Sequence, residues 1–375
     1  MILPPATIGI LGGGQLARMI ALAGRRMGYR FIVYEPSDEC PAESVCDLRF
    51  KNDYDNYGAL ADFASKIDVC TLDFENVPSE AANFIQSCVP LRPSAYMLSI
   101  CQNRKKEKLF LQEHGFPCAK FELIKGPESL SRAIDIIGTP SVLKTADFGY
   151  DGKGQIKIDP NTDPSTAWSS LDAPLAVLEE WVNHQGEYSV IVSRDPEGRK
   201  KAFPISENLH VDHVLFSSTM PASVSPEEEK EAVEIAYQIA DQFQMIGLAA
   251  IEFFRSDKGW IVNEIAPRPH NSGHLTFDAC KTSQFEQCIR AICGLPLGDT
   301  HLLTPGVMVN LLGDHWPNLE PNWNRILENS NLKLHLYGKD IPRKGRKMGH
   351  LTLLDDDIQK ARQTTHEVMQ LLKAS

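Results

Sequence analysis

The sequence predicts a mixed fold, in which a doubly wound parallel α/β domain precedes a mainly antiparallel α+β region. Apolar strands and helical stretches alternate over about the first 100 residues, which is typical of a parallel sheet. Turn-rich segments then separate short apolar strands, a pattern that favours antiparallel pairing. The 375 residues suffice for two or three domains, at roughly 100 to 200 residues per domain.

The composition limits the cellular setting and the partners. Hydrophobic residues make up 42% and charged residues 23% of the chain, an ordinary globular balance. The formal net charge of -11 argues against nucleic acid or an acidic membrane as the main partner. No apolar run approaches the ~18 residues of a membrane span, and no leader is evident. The nine cysteines contain no C-x-x-C pair, so a cytoplasmic location is expected.

The individual elements follow from apolar periodicity. The N-terminal part reads as strand 7–11, a helix from Gln15 to about Met27, strand Phe31 to Glu35, helix 54–66 and strand Val69 to Phe74. One long charged helix is predicted from Ala95 to His114. Strands are then predicted at 141–145, 155–158, 175–182 and 187–194. A periodic helix (Glu227 to Phe243), two apolar strands (Leu248 to Phe254, Trp260 to Ile265), short strands at 307–312, 332–337 and 348–354 and a terminal helix from about Asp357 complete the chain.

The glycine loop Gly12-Gly13-Gly14 follows the first strand and precedes a helix. Such a loop can present backbone N–H groups to a phosphate, and Glu35 after the second strand would suit a ribose contact. The spacing of a dinucleotide fingerprint is imperfect, with Ala17 where the third glycine or alanine would fall, and such a loop alone is weak evidence. We therefore expect no nicotinamide or flavin. A tight turn without a ligand is the alternative.

A second glycine-rich loop follows Lys144, which ends an apolar strand. Backbone N–H groups and lysines in such a loop can bind a triphosphate, although the G-K-[ST] of a P-loop is missing. The alternative is a flexible hairpin with exposed lysines. The loop comprises Gly149, Tyr150, Asp151, Gly152, Lys153, Gly154 and Gln155.

An acidic segment, Glu179-Glu180-Trp181-Val182, ends the next apolar strand, and Glu187 follows. A backbone hinge there can bond the edge of adenine, and the later carboxylate can hold ribose hydroxyls. An edge strand with solvated glutamates is the alternative.

The strongest signal is a pair of glutamates within two apolar strands. A carboxylate in such a strand is costly to bury unless it is paired or bound to a metal. If Phe254 pairs with Val262 in a hairpin, Glu252 lies opposite Glu264. With the amide of Asn263, these carboxylates suit Mg²⁺ bound to nucleotide phosphates. An ion pair to a lysine is the alternative.

A histidine pair, His270 and His274, is separated by four positions. The intervening Asn-Ser-Gly and the nearby prolines disfavour a helix, and no third soft ligand is evident. A loop that binds an anionic substrate is the better interpretation than a metal site.

Together these segments resemble the ATP-grasp superfamily, and within it the family of 5-(carboxyamino)imidazole ribonucleotide synthases, the ATPase-type carboxylases of purine biosynthesis. Four stretches across almost the whole chain are similar to that family: Gly12-Gly-Gly-Gln-Leu-Ala-Arg-Met, Thr71-Leu-Asp-Phe-Glu-Asn-Val-Pro, Asn263-Glu-Ile-Ala-Pro-Arg-Pro-His-Asn-Ser-Gly-His and Pro342-Arg-Lys-Gly-Arg-Lys-Met-Gly-His. The resemblance implies an ATP-grasp fold with an N-terminal domain (1–100), an ATP-grasp domain (101–300) that includes a glycine-rich lid (about 117–205), and a small C-terminal domain (301–375).

The resemblance also implies a role for each candidate residue. ATP would contact Arg104, Lys144, residues 149–155, Glu179, Glu180, Trp181, Val182, Glu187, His210, Asn263 and Glu264, while Glu252 and Glu264 would hold Mg²⁺. The ribonucleotide would contact Gly13, Gly14, Gln15, Glu75, His270, Asn271, Ser272, Lys344 and Arg346. Asp151, Arg268 and Lys344 would act in catalysis, with Arg268 holding bicarbonate or the intermediate. Lys153 replaces an arginine that is frequent in the family and lacks its planar fork.

The implied reaction uses ATP, bicarbonate and 5-aminoimidazole ribonucleotide. Bicarbonate attacks the γ-phosphate of ATP to give carboxyphosphate and ADP, and the carboxyl group then passes to the exocyclic amine. A homodimer is expected from the resemblance alone. Three alternatives remain: another ATP-grasp ligase, such as one that uses formate and glycinamide ribonucleotide, a dehydrogenase built on the first glycine loop, and a nucleotide-binding protein without catalysis.

Overall fold

A computed structural model describes residues 1–147, 154–316 and 321–373. Within these ranges, no helix combines the length and the apolar character needed to cross a bilayer. The described residues form three sheets, and each has helices packed against it.

The N-terminal sheet is parallel, as the sequence predicted, and has the strand order β3-β2-β1-β4. The parallel pairing places the ends of β1, β2 and β4 at one edge, where the glycine loop and two acidic residues meet. Strand β3 is an addition that the periodicity did not indicate. The elements are β1 (Thr7–Leu11), α1 (Gln15–Arg25), β2 (Arg30–Tyr34), β3 (Leu48–Phe50), α2 (Tyr57–Ala64), β4 (Val69–Leu72) and α3 (Ser79–Cys88).

The single long helix predicted from Ala95 to His114 is wrong. The chain forms α4 (Ala95–Cys101) and then α5 (Arg104–Glu113). Asn103 interrupts the helix, because its side chain accepts a hydrogen bond from the backbone N–H of Lys106 at 3.0 Å and so begins a new one. The restart turns the first residues of α5 toward the site described below.

A four-stranded antiparallel sheet follows, with the order β5-β8-β6-β7. Helices α6 and α7 pack together on it and enclose a small apolar core of their own. Its elements are β5 (Phe121–Ile124), α6 (Pro127–Ile137), β6 (Ser141–Thr145), β7 (Gln155–Ile158), α7 (Pro164–Leu171) and β8 (Ala176–Glu180).

The third sheet has nine strands in the order β14-β13-β9-β11-β12-β15-β17-β16, with β10 on β9. Every pairing is antiparallel. The C-terminal strands therefore continue the central sheet through the pairing of β12 with β15, which the sequence did not indicate. The elements are β9 (His184–Arg194), β10 (Lys200–Ala202), β11 (Ser206–Val211), β12 (Val214–Met220), α8 (Pro226–Gln242), β13 (Gly247–Ser256), β14 (Gly259–Ala266), α9 (Thr276–Ala279), α10 (Gln284–Cys293), β15 (Gly306–Leu312), α11 (Trp323–Ile326), β16 (Leu332–Leu336), β17 (Lys347–Leu354) and α12 (Ile358–Lys373).

The N-terminal sheet and the nine-stranded sheet share one core. Helix α1 packs on α10, where Gly24 allows close approach of Phe31 and Ile289. Buried residues from both sheets belong to this core, such as Ile8 on β1 and Ile191 on β9, together with Met19, Phe285 and Ile292 from the two helices. Burial of large apolar side chains contributes about 1.5–3 kcal/mol each. The shared core holds the glycine loop beside the larger sheet.

Candidate active site

A cavity of about 790 Å³ lies where the three sheets meet. Both antiparallel sheets, the glycine-loop end of the N-terminal domain and the start of β17 contribute to its wall. Most of the side chains on the wall are polar or charged. Among the described residues, the wall comprises Gln15, Leu16, Asp73, Phe74, Glu75, Arg104, Val142, Lys144, Thr145, Gly154, Gln155, Lys157, Glu179, Glu180, Trp181, Val182, His184, Glu187, His210, His213, Leu215, Glu252, Phe254, Asn263, Glu264, Arg268, His270, Asn271 and Lys347.

The two predicted metal ligands oppose each other across the β13–β14 hairpin, where Glu252 pairs with Glu264. The register from which this was predicted is wrong, because Phe254 pairs with Ile261. A regular hairpin in that register would place Asn263 opposite Glu252. A β-bulge just after Glu252 makes Asn263 the extra residue and restores the pairing of the glutamates.

The two carboxylates lie in different electrostatic surroundings. Burial raises the pKa of Glu252, but the interaction with His270, whose Nε2 lies 2.8 Å from Glu252 Oε1, lowers it well below its usual range. Burial also raises the pKa of Glu264. Arg104, whose Nη2 lies 3.7 Å from Glu264 Oε2, lowers that pKa, whereas the like charge of Glu252 raises it. The net effect is a raised pKa. A cation between the carboxylates would relieve this repulsion.

A cluster of three cations surrounds Glu179, which is 3% exposed. Lys144 Nζ lies 3.1 Å and Lys108 Nζ 3.3 Å from Glu179 Oε2, and Arg104 Nη1 lies 3.7 Å from Oε1. Lys108 is fully buried and also donates to the carbonyl oxygen of Asn263 at 3.3 Å. Burial lowers the pKa of Lys144 to about 8, although Glu179 opposes the decrease. Three cations against one carboxylate leave positive charge for an anionic ligand.

The predicted adenine hinge connects two sheets. Strand β8 ends at Glu180 and β9 begins at His184, so the segment between them passes from the four-stranded to the nine-stranded sheet. Trp181 and Val182 lie on the cavity wall, and Lys157 Nζ is 5.2 Å from the centre of the Trp181 ring. This arrangement provides an apolar surface at one end of the cavity, which suits a planar base.

Beside the hinge, Glu187 and His210 form an ion pair of 2.8 Å. Burial lowers the pKa of His210, but the hydrogen bond and the charge of Glu187 raise it more, with a net increase. Gln155 and His213 lie on the same wall, with Gln155 Nε2 at 3.3 Å from His213 Nδ1. The predicted ribose carboxylate is therefore held in place by a histidine.

In the glycine loop, the backbone N–H groups of Gly13 and Gly14 are already bonded within the protein. They are therefore not available for a phosphate, which contradicts the prediction for these two residues. The N–H of Gly13 donates to Glu35 Oε2 at 2.8 Å, and that of Gly14 donates to Asp73 Oδ2 at 2.8 Å. Asp73 Oδ1 also accepts from the N–H of Ala17 at 2.6 Å. Two carboxylates of the protein itself thus occupy the helix N-terminus, where an anion is stabilised.

A lysine that the sequence did not single out lies beside this loop. Lys339 Nζ donates to Gln15 Oε1 at 2.9 Å and to the carbonyl oxygen of Lys347 at 2.7 Å. Burial and the nearby Arg346 lower the pKa of Lys339 to about 8. Lys347 lies on the cavity wall, whereas Lys344 is exposed and absent from the described wall. One residue of the basic run, Lys347, therefore lies on the wall, whereas the position chosen within the run, Lys344, is not supported.

The loop after β14 carries two further residues of the cavity wall, Arg268 and Asn271. Arg268 forms a two-point ion pair with Glu75, one contact being 2.7 Å between Nη2 and Oε1, and both residues lie on the cavity wall. Asn271 also lies on the wall and is 8% exposed. Its amide nitrogen and oxygen have no partner among the described residues. A buried amide without partners costs about 1–3 kcal/mol, which a ligand would recover.

Two further predicted contacts are not supported by their surroundings. Ser272 is fully buried, and its Oγ contacts Ser189 Oγ at 2.6 Å and His270 Nδ1 at 2.8 Å, so it supports the wall from behind. Arg346 pairs with Glu39 and donates to the carbonyl oxygen of Ile341 at 2.8 Å. His274 is buried and bonds to Gln284, which places it away from the described wall.

Several predicted and unpredicted residues remain. The residues Gly149, Tyr150, Asp151, Gly152 and Lys153 lie outside the described residues. The sequence reasoning missed Asp73, Lys108, Lys157, His213, Lys339 and Lys347. Asp73 could have been found, because it follows an apolar parallel strand at the edge that carries the glycine loop. Lys108 carries no such signal, since nothing in a charged helix marks the one lysine that is buried.

Three family models match the chain in sequence order. A ribonucleotide synthetase preATP-grasp domain matches residues 5–102, an ATP-grasp domain matches 109–285, and a phosphoribosylaminoimidazole carboxylase C-terminal domain matches 306–364. These matches confirm the predicted ATP-grasp fold with its N-terminal sheet domain and its C-terminal part.

Whole-length relatives agree with the family models. The chain is 41% identical to an N5-carboxyaminoimidazole ribonucleotide synthase of Bacillus subtilis, covering 94% of this chain and 93% of the relative. It is 42% identical to one of Brucella melitensis, covering 93% and 96%. The structure matches an ADP complex of an N5-carboxyaminoimidazole ribonucleotide synthetase with a TM-score of 0.94 and 42% identity, covering 98% and 97%.

A more distant solved structure, from Aspergillus clavatus, contains ADP and 5-aminoimidazole ribonucleotide. It matches with a TM-score of 0.87 and 26% identity, covering 99% of each chain. The opposed glutamates and the cation cluster thus lie in a chain whose three parts and whole length match the same enzymes. The chain belongs to the N5-carboxyaminoimidazole ribonucleotide synthase family of ATP-grasp ligases.

Proposed function

We propose that the protein carboxylates 5-aminoimidazole ribonucleotide with bicarbonate and ATP, and releases ADP and phosphate. The observation that carries the proposal is the pair Glu252 and Glu264, opposed on the wall of a cavity that also holds Lys144 and Arg104. Carboxylates for a metal and cations for phosphates are what phosphoryl transfer from ATP requires. The family supplies the acceptor, since its relatives are named for carboxyaminoimidazole ribonucleotide synthesis.

The nucleotide occupies the part of the cavity between the two antiparallel sheets. Adenine lies at the hinge beside Trp181 and Val182, and Glu187 receives the ribose hydroxyls. Lys144 and Arg104 contact the phosphates from one side. The loop at 149–155 is proposed to cover them from the other side.

Glu252 and Glu264 fit Mg²⁺. No group of three or more His, Cys, Asp or Glu side chains is arranged for a metal among the described residues. Two carboxylates suit Mg²⁺, which takes its other ligands from nucleotide phosphates and water. When bound, the ion offsets negative charge on the phosphoryl group.

The carboxylation step takes place near Arg268 and Asn271. The Arg268 guanidinium is fixed by Glu75, so it presents its remaining donors in a defined orientation to bicarbonate or carboxyphosphate. Asn271 offers a donor and an acceptor for which the described residues provide no partner. Bicarbonate attacks the γ-phosphorus, ADP leaves, and the exocyclic amine of the ribonucleotide then takes the carboxyl group while phosphate departs. Asp151 is proposed to orient that amine.

The ribonucleotide phosphate is placed at the basic end of the cavity. Gln15 and Lys347 lie on the wall there, and Lys339 lies directly behind Gln15. Lys339 and Lys347 therefore replace Lys344 in our assignment. We propose that the three domains predicted from the sequence, 1–100, 101–300 and 301–375, together bring the nucleotide end and the ribonucleotide end of the cavity close to each other.

The test is ADP release measured with and without bicarbonate and 5-aminoimidazole ribonucleotide, together with incorporation of labelled bicarbonate into the ribonucleotide. We expect release that depends on both substrates and matches carboxylation in amount. Turnover with formate and glycinamide ribonucleotide instead would overturn the proposal. A homodimer remains a proposal from the family resemblance, and analytical ultracentrifugation would test it.

A further inference from the structure

A row of buried polar side chains crosses the nine-stranded sheet toward Glu252. Ser218 on β12, Asn208 on β11 and Ser189 on β9 lie on adjacent strands. Ser189 and Ser218 are fully buried, and Asn208 is 7% exposed. Buried hydroxyl and amide groups in an apolar sheet are costly unless each one is bonded. Nothing in the proposed reaction accounts for these three residues.

The row forms an unbroken chain of hydrogen bonds. Ser218 Oγ donates to Asn208 Oδ1 at 2.8 Å, and Asn208 Nδ2 donates to Ser189 Oγ at 3.1 Å. Ser189 Oγ donates to Ser272 Oγ at 2.6 Å, and Ser272 Oγ lies 2.8 Å from His270 Nδ1. Each hydroxyl that accepts one bond has its own hydrogen left to donate to the next residue. The direction of donation therefore runs from the sheet toward His270.

The last bond decides which nitrogen of His270 carries hydrogen. Ser272 Oγ accepts from Ser189 and keeps its own hydrogen, which it can donate to Nδ1. The backbone N–H of Ser272 also donates to Nδ1, at 3.3 Å. A nitrogen that accepts two donors cannot carry hydrogen itself, so the hydrogen is on Nε2. That nitrogen lies 2.8 Å from Glu252 Oε1, where it donates to the carboxylate.

We propose that Ser272, supported by Ser189 and Asn208, is a positioning residue that holds His270 in the Nε2–H tautomer and thereby orients Glu252. The Nε2–H group binds Oε1, which would leave Oε2 of Glu252 for a cation. The role of Glu252 as a metal ligand rests on the proposed function, whereas the tautomer does not. Groups that orient a metal ligand from behind typically change metal affinity by about 10–100-fold when removed.

The first experiment needs no metal or substrate. Nitrogen NMR of the full protein with ¹⁵N-labelled histidine reports whether each imidazole nitrogen carries hydrogen, and loss of one pair of signals in His270→Gln identifies the residue. We expect hydrogen on Nε2 and a bare Nδ1 at neutral pH. Hydrogen on Nδ1 in the unmodified protein would overturn the proposal. That result would be sufficient by itself, without substitution of any residue in the hydrogen-bonded row.

The second experiment compares Ser272→Ala with the matched control Ser206→Ala. Ser206 is also fully buried and contacts the same loop through the Ser272 carbonyl oxygen, at 3.5 Å, but it lies outside the chain of bonds. For Ser272→Ala we expect a mixture of His270 tautomers and Mn²⁺ affinity, measured with ADP, about 10–100-fold weaker. For the control we expect neither change.

These experiments distinguish failure of the proposed metal site from failure of the proposed His270 tautomer. Equal loss of thermal stability in both variants, with unchanged tautomer and metal affinity, would reduce the row to a structural feature and overturn the proposal. If the unmodified protein binds no Mn²⁺ with ADP but shows the Nε2–H tautomer, the proposed metal site fails and the tautomer assignment stands. Should Ser272→Ala not fold, Ser189→Ala, which removes the donor to Ser272, gives the same comparison.

Discussion

Glu179 supports one quantitative prediction about stability, because it is the only carboxylate that the described residues place within 4 Å of Lys108 and Lys144. Glu179→Gln keeps the shape of the side chain and removes its charge, so no cavity forms. Lys108, which is fully buried, would then keep only a neutral carbonyl partner. Removing one partner of a buried ion pair costs about 3–5 kcal/mol.

The expected result is therefore a loss of about 3–5 kcal/mol in the free energy of unfolding, measured by urea denaturation without nucleotide at pH 7. Attraction to the three cations outweighs burial and holds the pKa of Glu179 well below its ordinary 4.5. A carboxylate with a lowered pKa stabilises the fold above its unfolded value and loses that effect as the pH falls through its folded value. The full contribution is thus present at pH 7.

The matched control is Asp62→Asn, which removes an exposed pair with Lys66, whose side chains are 57% and 42% exposed. An exposed ion pair of this kind contributes about 0.2–1 kcal/mol. If Glu179→Gln costs as little as this control, the cluster is screened by solvent and the reasoning from its burial is refuted.

Three further predictions concern catalysis. Glu252→Gln and Glu264→Gln should each lower ADP release severely, because an amide is a poor Mg²⁺ ligand. The circular dichroism spectrum should stay unchanged. Near-normal turnover in both variants would disprove the metal site. The KM for ATP should rise about tenfold from pH 7 to pH 9, because Lys144, with a pKa of about 8, loses its charge over this range. A KM that does not change with pH, or the same rise in Lys144→Arg, would contradict this prediction. In steady-state kinetics, Lys339→Met should raise the KM for the ribonucleotide about tenfold or more and leave the KM for ATP unchanged. Lys344→Met should change neither constant. The opposite result would restore the assignment of Lys344 to the ribonucleotide site.

Local sequence patterns determined most of the fold, because periodicity and capping act within a few residues. The parallel start, the antiparallel middle and the helix at 226–242 follow from apolar spacing and turn residues. Even the opposition of Glu252 and Glu264 could be predicted, since a carboxylate in an apolar strand is rarely left without a partner. The break at Asn103 was missed because a capping asparagine inside a charged helical stretch looks like any polar residue.

Tertiary structure decided the features that depend on which distant residues meet. The sequence marked Gly13 and Gly14 as phosphate donors, but strands β2 and β4 bring the carboxylates of Glu35 and Asp73 to those N–H groups first. The β-bulge at Asn263 set the actual register of the glutamates. The continued sheet placed Lys347 on the wall and left Lys344 exposed. Lys344 lies in the turn before β17 and Lys347 is the first residue of that strand. Composition therefore located the basic run, while only the packed sheet could select its members, because a residue's place on the wall depends on contacts with residues distant in the sequence.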